Sequence, residues 1–242
     1  EGDFLAIVGC NGSGKTTLAK NACGLLFPTK GRLYVKKRDI KTYKRKELVK
    51  TVGYVFQNPD HQISSYTVFD EVSFGLRMLG IDRKRIKEAV EEALWATGLL
   101  GYEEYSPFLL SKGERQRVAC ASILALKPEV LILDEPTTGL DFEHQKSMME
   151  MLKGLNDKGH TIVIITHSPW VVETYATSCV VMKDGMILKE GPTRSVFYDE
   201  ETLRFASFYQ STLTRIANKL GTRSMDVEGM VEEIKSEGFP LR

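Results

Sequence analysis

An apolar run from Phe4 to Val8 leads directly into Gly9-Cys10-Asn11-Gly12-Ser13-Gly14-Lys15-Thr16, and a helical pattern begins at Lys15. No other stretch limits the fold as strongly. The eight residues have the form G-x-x-x-x-G-K-[ST], which works only with a strand before it and a helix after it. Glycines let the backbone wrap closely around phosphate oxygens, so that successive N–H groups point inward at the start of the helix. Lys15 supplies a full positive charge for the β- and γ-phosphates, and the Thr16 hydroxyl is placed to ligate Mg²⁺. The competing reading is a plain glycine turn beside a helix with a surface lysine. The loop alone predicts a nucleotide and does not say what is done with it.

Further short apolar runs occur at Val130 to Leu133 and Thr161 to Ile165, with helical patterns over Lys15 to about Leu26, about Arg115 to Leu126, and Glu143 to Leu155. Continuous apolar runs between helices read as buried parallel strands, and the alternation predicts an α/β sheet covered on both faces. Arg32 to Val35 and Val52 to Phe56 read as additional strands. Val180 to Met182 and Met186 to Lys189, joined around Asp184-Gly185, read as a hairpin. From about Asp70 to Leu100 the pattern is helical only, and Ile86, Ala89, Val90, Ala93, Leu94 and Thr97 form one apolar stripe. This predicts a helical subdomain inserted in the sheet. Beyond Gly191-Pro192 the chain is helical and charged, with stripes at Leu213, Ile216, Ala217 and Leu220, then at Val227, Met230, Val231 and Ile234. Either stripe could pack on the core or on a partner.

Two carboxylates close the second apolar run, in Val130-Leu131-Ile132-Leu133-Asp134-Glu135. A parallel sheet would bring them to the edge that carries the glycine loop. There Asp134 can hold the magnesium shell and Glu135 can polarise an attacking water. Two acids at a strand end could also be merely solvated, and the loop at Gly9 to Thr16 is what favours chemistry. His167 follows the third run in Ile164-Ile165-Thr166-His167 and would reach the same edge as a γ-phosphate contact. His61, His144 and His160 have no ligand-like spacing.

Composition excludes several classes. Lys and Arg total 33 against 32 Asp and Glu, so no charge excess marks a nucleic-acid binder or an anionic membrane surface. Cys10, Cys23, Cys120 and Cys179 lie far apart without a C-x-x-C, which predicts reduced thiols rather than a disulfide framework or a zinc site. No apolar run approaches the roughly 20 residues that cross a bilayer, and no signal peptide opens the chain. Any work at a membrane is therefore expected to go through partners, without direct insertion. Because the chain opens at Glu1 and enters a strand almost at once, it reads as a piece of a longer polypeptide.

Three more features complete a pattern: Gln57 after the Val52 to Phe56 strand, Leu110-Ser111-Lys112-Gly113-Glu114 before a helix, and Thr138-Gly139-Leu140-Asp141 after Glu135. In order and spacing the chain closely resembles the ABC ATPases along almost its whole length. The resemblance implies a P-loop NTPase (RecA-like) core with a parallel-rich sheet over residues 1–66 and 115–198. It further implies a helical signature subdomain over 67–114 and a helical C-terminal extension over 199–242. ATP and Mg²⁺ are the implied cofactors, held by Gly9, Asn11, Gly12, Ser13, Gly14, Lys15, Thr16 and Thr17, with Thr16, Gln57 and Asp134 on the metal. Glu135, His167, Gln57 and Lys15 would be catalytic, with His167 as the switch histidine. Ser111, Lys112, Gly113 and Glu114 would meet the nucleotide of a partner domain in trans, and Asp141 would communicate across the dimer.

The implied partners are a second ABC ATPase domain, in a homo- or heterodimer, and a transmembrane transporter subunit at the cytoplasmic face of the membrane. No nucleic acid is expected. More narrowly, Phe56-Gln57-Asn58-Pro59-Asp60-His61-Gln62-Ile63 and the tail with Leu213-Thr214-Arg215-Ile216 resemble the ATPases of energy-coupling-factor vitamin and metal importers. Two departures stand out. The family signature is usually Leu-Ser-Gly-Gly-Gln, whereas this chain has Lys112 and Glu114, and Ser111 to Glu114 also reads as a capping box. Reduced but real function is expected at that half-site. The antiparallel β-subdomain whose aromatic stacks on adenine should precede Glu1, so base recognition is expected to be weak. A soluble ABC ATPase of translation or DNA repair, and a regulatory nucleotide-binding module, remain alternatives. The first needs a long coiled coil or a tandem linker, neither of which is present, while an absent N-terminal half leaves the tandem arrangement open; Lys15, Glu135 and His167 argue against the second.

Overall fold

Short apolar runs bounded by turn residues become strands, and the amphipathic stretches between them become helices. A computed structural model of the chain describes residues 1–222 and 224–236. In chain order the strands are β1 (Phe4–Val8), β2 (Tyr34–Val35), β3 (Arg38–Asp39), β4 (Val52–Val55), β5 (Val130–Asp134), β6 (Thr161–Ile165), β7 (Ser178–Lys183) and β8 (Met186–Pro192). In chain order the α-helices begin with α1 (Lys15–Ala22), α2 (Arg45–Leu48), α3 (Val68–Met78), α4 (Arg83–Ala96), α5 (Lys112–Leu124), α6 (Phe142–Asp157) and α7 (Pro169–Tyr175). They are followed by α8 (Thr193–Phe197), α9 (Glu200–Phe205), α10 (Thr212–Leu220) and α11 (Val227–Ser236).

These elements form two units, one of Glu1–Asp3 with Thr16–Ile165, the other of Phe4–Lys15 with Thr166 onward. In the first unit β4, β5 and β6 run parallel, with Tyr54 opposite Ile132 and Leu133 opposite Ile164. Leu131, Leu133, Ile162 and Ile164 are fully buried, as are Met149 and Leu152 of α6, which packs on β6. Burial on both faces is why these strands read as unbroken apolar runs rather than as alternating ones. Helices α3, α4 and α5 pack on one another, and the predicted stripe on α4 lies inside: Ile86, Val90, Ala93, Leu94 and Thr97 are buried. Side-chain caps begin these helices, from Thr67 to Asp70 N (3.0 Å) and from Asp82 to Arg85 N (3.1 Å). A cap of this kind is worth about 1 kcal/mol.

Two local departures from the sequence pattern have physical causes. The first helix ends at Ala22 rather than near Leu26, because Gly24 takes φ +71° and the N–H groups of Leu25 and Leu26 both turn back to Lys20 O. The strand expected over Arg32 to Val35 shrinks to Tyr34–Val35, paired with Arg38–Asp39 across Lys36 and Lys37. Both lysines have positive φ (48° and 63°), the geometry of a primed two-residue hairpin turn usually made by Asn-Gly.

In the second unit β1 runs parallel to β7, and β7 and β8 form the expected antiparallel hairpin. Its helical tail buries Thr214 and Ala217 of α10, with the Thr214 hydroxyl donating to Glu173 Oε1 at 2.7 Å, whereas no residue of α11 is buried. Asp199 caps α9 and pairs with Lys189 of β8. The Lys189 ammonium, then the Thr202 N–H, hold its carboxyl down at about 2. Since the folded value lies below the ordinary 3.8, the charge stabilises the fold fully above about pH 4, and that stabilisation disappears as pH falls through 2. Asp199→Asn is therefore expected to lower the melting temperature near neutral pH, with the gap to wild type narrowing as acid is added. A gap that stays constant to about pH 2 would contradict this ionic account.

All four cysteines are free thiols, and burial pushes both Cys120 and Cys179 up to about 12, as expected of inert core residues. Among the described residues no helix is long and apolar enough to cross a membrane.

Candidate active site

The glycine loop lies in the second unit. Gly9 holds φ +143°, and a β-carbon there would run into the carbonyl oxygen of Met182. Only glycine lets the loop leave β1 so close to β7. Lys15 is 6% exposed, and its ammonium donates to Gly9 O at 2.8 Å and to Cys10 O at 2.9 Å. Carbonyl dipoles thus hold the cation inside the loop. Ser13 is buried, its N–H donates to Cys10 O at 3.2 Å, and its carbonyl accepts from Gly185 N at 3.1 Å, which ties the loop to the β7–β8 turn. Asn11 and Gly12 are exposed, Gly14 is half-buried, and His167 is exposed two residues beyond β6.

The carboxylates lie in the first unit, at the end of β5. Asp134 is 4% exposed, and its Oδ2 accepts from both Thr16 Oγ1 and Tyr54 OH at 2.8 Å. Thr16 belongs to this same unit, and its hydroxyl meets the first acid directly. Thr17, next on α1, is exposed. Glu135 is 8% exposed and takes φ +50°, a left-handed conformation that is uncommon without glycine and clusters at functional sites. Its N–H donates to Ile165 O at 2.9 Å and its Oε2 accepts from Thr138 Oγ1 at 3.1 Å, so the turn that aims the carboxylate is held at both ends. Gln57 is exposed, two residues beyond β4.

The Ser111 to Glu114 stretch is the capping box that its spacing predicts. Ser111 Oγ accepts from Glu114 N at 3.3 Å, and Glu114 Oε2 accepts from Ser111 N at 2.8 Å, at the start of α5. Ser111 above all, then Tyr102 and His144, hold the Glu114 carboxyl below its ordinary range. The non-standard acid is thus committed to its own helix end. Ser111 and Lys112 are exposed, while Gly113 is buried with His144 and Leu140 beside it. Asp141 caps α6 by accepting from His144 N at 2.9 Å, and His144 Nδ1 lies 2.7 Å from its Oδ1. His144 holds the Asp141 carboxyl low.

Among the described residues no group of three or more His, Cys, Asp or Glu could hold a metal by itself. Thr16 and Asp134 instead offer one hydroxyl and one fixed carboxylate, a hard-oxygen pair that suits a hydrated Mg²⁺ arriving on phosphate oxygens. Residues 1–138, more than half of the chain, match the protein family described as ABC transporter. The chain belongs to the ABC transporter family.

Several curated relatives of this ABC chain are ABC transporter ATP-binding proteins of which it spans only about two fifths of the length. The energy-coupling factor transporter ATP-binding protein of Methanocaldococcus jannaschii is 47% identical over 221 residues, covering 90% of this chain and 78% of that protein. Among solved structures, cbiO1 from Clostridium perfringens, described as part of the ABC transporter complex cbiONQ, is 37% identical with a TM-score of 0.76, covering 91% of this chain and 88% of that one. The ATP-binding cassette MJ0796, solved as a dimer in a post-hydrolysis state bound to ADP and Pi, is 30% identical with a TM-score of 0.71, covering 80% and 86%.

One residue of this ABC site escapes the sequence reading. Tyr54 lies inside a buried apolar strand, where an aromatic reads as core, and its partner Asp134 is distant in sequence. Burial, then the hydrogen bond to Asp134, push the Tyr54 phenol far above its ordinary range, so it stays a donor. By holding Oδ2 it fixes the carboxylate next to the Thr16 hydroxyl. In a metal site built on Asp134, a hydrogen-bond partner of this kind would change metal affinity by about 10- to 100-fold. Tyr54→Phe is accordingly expected to raise the half-saturating Mg²⁺ for ATP turnover about tenfold while the ATP requirement at saturating Mg²⁺ changes little. Unchanged Mg²⁺ dependence would remove Tyr54 from the site.

Proposed function

We propose that this chain is the ATP-hydrolysing motor subunit of an ABC transporter, acting in a head-to-tail dimer of ATP-binding domains. Dimer closure and reopening would drive import through a transmembrane partner of the energy-coupling-factor type. The observation that carries this reading is the Thr16–Asp134–Tyr54 cluster with Glu135 one residue further on a left-handed turn. In this reading the Thr16 hydroxyl, from α1, and the Asp134 carboxylate, at the end of β5, would hold the metal, and Glu135, next to Asp134, would accept the proton.

In this reading the loop N–H groups and Lys15 bind the phosphates of ATP, with Asn11, Gly12, Ser13, Gly14 and Thr17 lining the same loop. Bound Mg²⁺ would lie on Thr16, Asp134 and Gln57 and offset phosphate charge. Glu135 orients a water and takes its proton as that water attacks the γ-phosphorus, the bond from that phosphorus to the β–γ bridging oxygen breaks and ADP leaves, and His167 donates to the γ-phosphate. The start of α5, with exposed Ser111 and Lys112 and with buried Gly113 behind them, faces the γ-phosphate of the other domain, whose developing charge the helix start and Lys112 stabilise. Asp141, at the start of α6, relays the state of one site to the other. Residues 67–114 serve as the signature subdomain, and residues 199–242 as the C-terminal extension. The relatives named for energy-coupling-factor transport, and the dimer seen for the MJ0796 cassette, support this reading. The subunit would sit peripherally at the cytoplasmic membrane face.

Steady-state phosphate release from ATP tests it. The rate per chain is expected to require Mg²⁺ and to rise with protein concentration, because each site needs two chains. A rate independent of protein concentration in a solution that remains monomeric would overturn the dimer. No Mg²⁺-dependent release at any concentration would favour the regulatory alternative.

A further inference from the structure

Phe56, the residue just before Gln57, has both backbone polar groups engaged by glutamine side chains. Its N–H donates to Gln62 Oε1 at 3.3 Å, and its carbonyl receives Gln116 Nε2 at 3.5 Å. Gln62 in turn donates through Nε2 to Ala119 O at 2.8 Å and to Ser122 Oγ at 3.0 Å. One turn before Ala119, Arg115 Nε lies 2.9 Å from Asp60 Oδ1. Arg115, Gln116, Ala119 and Ser122 all belong to α5, the helix that starts at Ser111. Between Gln57 and Gln62, Asn58 caps the short turn Pro59–His61 by accepting from Asp60 N at 3.1 Å. The loop that carries Gln57 is therefore tied to the signature helix at successive turns, although Gln57 itself is exposed.

A half-buried primary amide suits this task because it accepts from one backbone and donates to another at once. Glutamate could accept from Phe56 but could not donate to Ala119, and an apolar side chain could do neither. Ser111 caps the same unbroken helix that carries Ala119, about 12 Å along its axis, so a displacement at Ser111 has a continuous path to Ala119. From there it passes through a single side chain to the peptide unit next to Gln57.

We propose that Gln62 is a positioning residue that locks the backbone at Gln57 to the signature helix, so that contact of Ser111 with the partner's nucleotide sets the place of Gln57 in its own site. The inference rests on the dimeric ATPase reading above. The hydrogen bonds of Gln62 run to Phe56, Ala119 and Ser122. It acts through Phe56 on one side and α5 on the other.

The test uses the full chain and compares Gln62→Met with wild type in two measurements. In turnover, kcat is expected to fall about tenfold while KM for ATP stays within about twofold, since positioning rather than binding is lost. In hydrogen exchange, measured with the hydrolysis-blocked Glu135→Gln variant as parent, Mg-ATP is expected to slow exchange at both the start of α5 and residues 56–61. Adding Gln62→Met should leave the α5 response intact and abolish most of the response at 56–61. An undiminished response at 56–61 together with unchanged kcat would overturn the coupling alone. Absence of any response at α5 in the parent would overturn the dimeric reading and the coupling with it. Gln62→Glu, which keeps size and the Phe56 contact, guards against a Met variant that folds poorly. It should show the same kcat loss, and wild-type turnover in it would likewise overturn the role.

Discussion

Glu135→Gln is expected to lower ATP turnover by about a thousandfold, within the range that a positioned general base contributes. The substitution is nearly isosteric. A glutamine oxygen can still accept from Thr138 Oγ1, and the backbone N–H can still donate to Ile165 O, so the left-handed turn at residue 135 has the same supports. What disappears is the ability to take a proton from water. ATP affinity should stay within about threefold, because a neutral amide adds no repulsion toward phosphate. With hydrolysis blocked, the ATP-bound dimer should accumulate and elute ahead of the monomer in gel filtration. Turnover near the wild-type rate would remove Glu135 as the base. A parallel collapse of ATP affinity would instead mean that the residue shapes the loop.

Lys15→Ala is the second large effect. The ammonium is buried and already held by Gly9 O and Cys10 O, so little ordering is left to pay for when phosphate arrives. Removing it deletes a charge-assisted contact worth about 1.5–3 kcal/mol, which corresponds to roughly 10- to 150-fold in ATP affinity. Because the charge is assigned to the β- and γ-phosphates, affinity for AMP should change little. Titration calorimetry with the two nucleotides separates this from a purely structural lysine. In that case ATP and AMP would weaken alike, or neither would change while the melting temperature dropped.

Much of this arrangement is legible in the sequence because its signals are local. The glycine loop, the acids closing an apolar run and the capping box at Ser111 each state their geometry within a few residues, and in the structure the Thr16 hydroxyl donates to Asp134. Signals that depend on distant partners stay silent. Tyr54 looks like core until Asp134 is seen beside it, and Gln62 looks like a loop amide until Ala119 and Ser122 are found to receive it. Backbone conformation is equally hidden where the residue type is unusual. Lys36 and Lys37 make a hairpin turn without glycine, and Glu135 turns left-handed just before Pro136. The tail shows the limit of periodicity: α10 and α11 both carry apolar stripes, yet only α10 buries any of its residues.

The most direct test of the central claim mixes two inactive chains. Lys15→Ala removes the phosphate loop's charge, and Ser111→Arg blocks the start of α5, so neither chain alone can build a working site. If each site is shared head to tail, a heterodimer of the two retains one intact site. With random pairing and independent sites, Mg-ATP hydrolysis in an equimolar mixture should recover to about a quarter of the wild-type rate. Activity that stays at the level of the separate variants would contradict the shared site, and with it the account given of this chain.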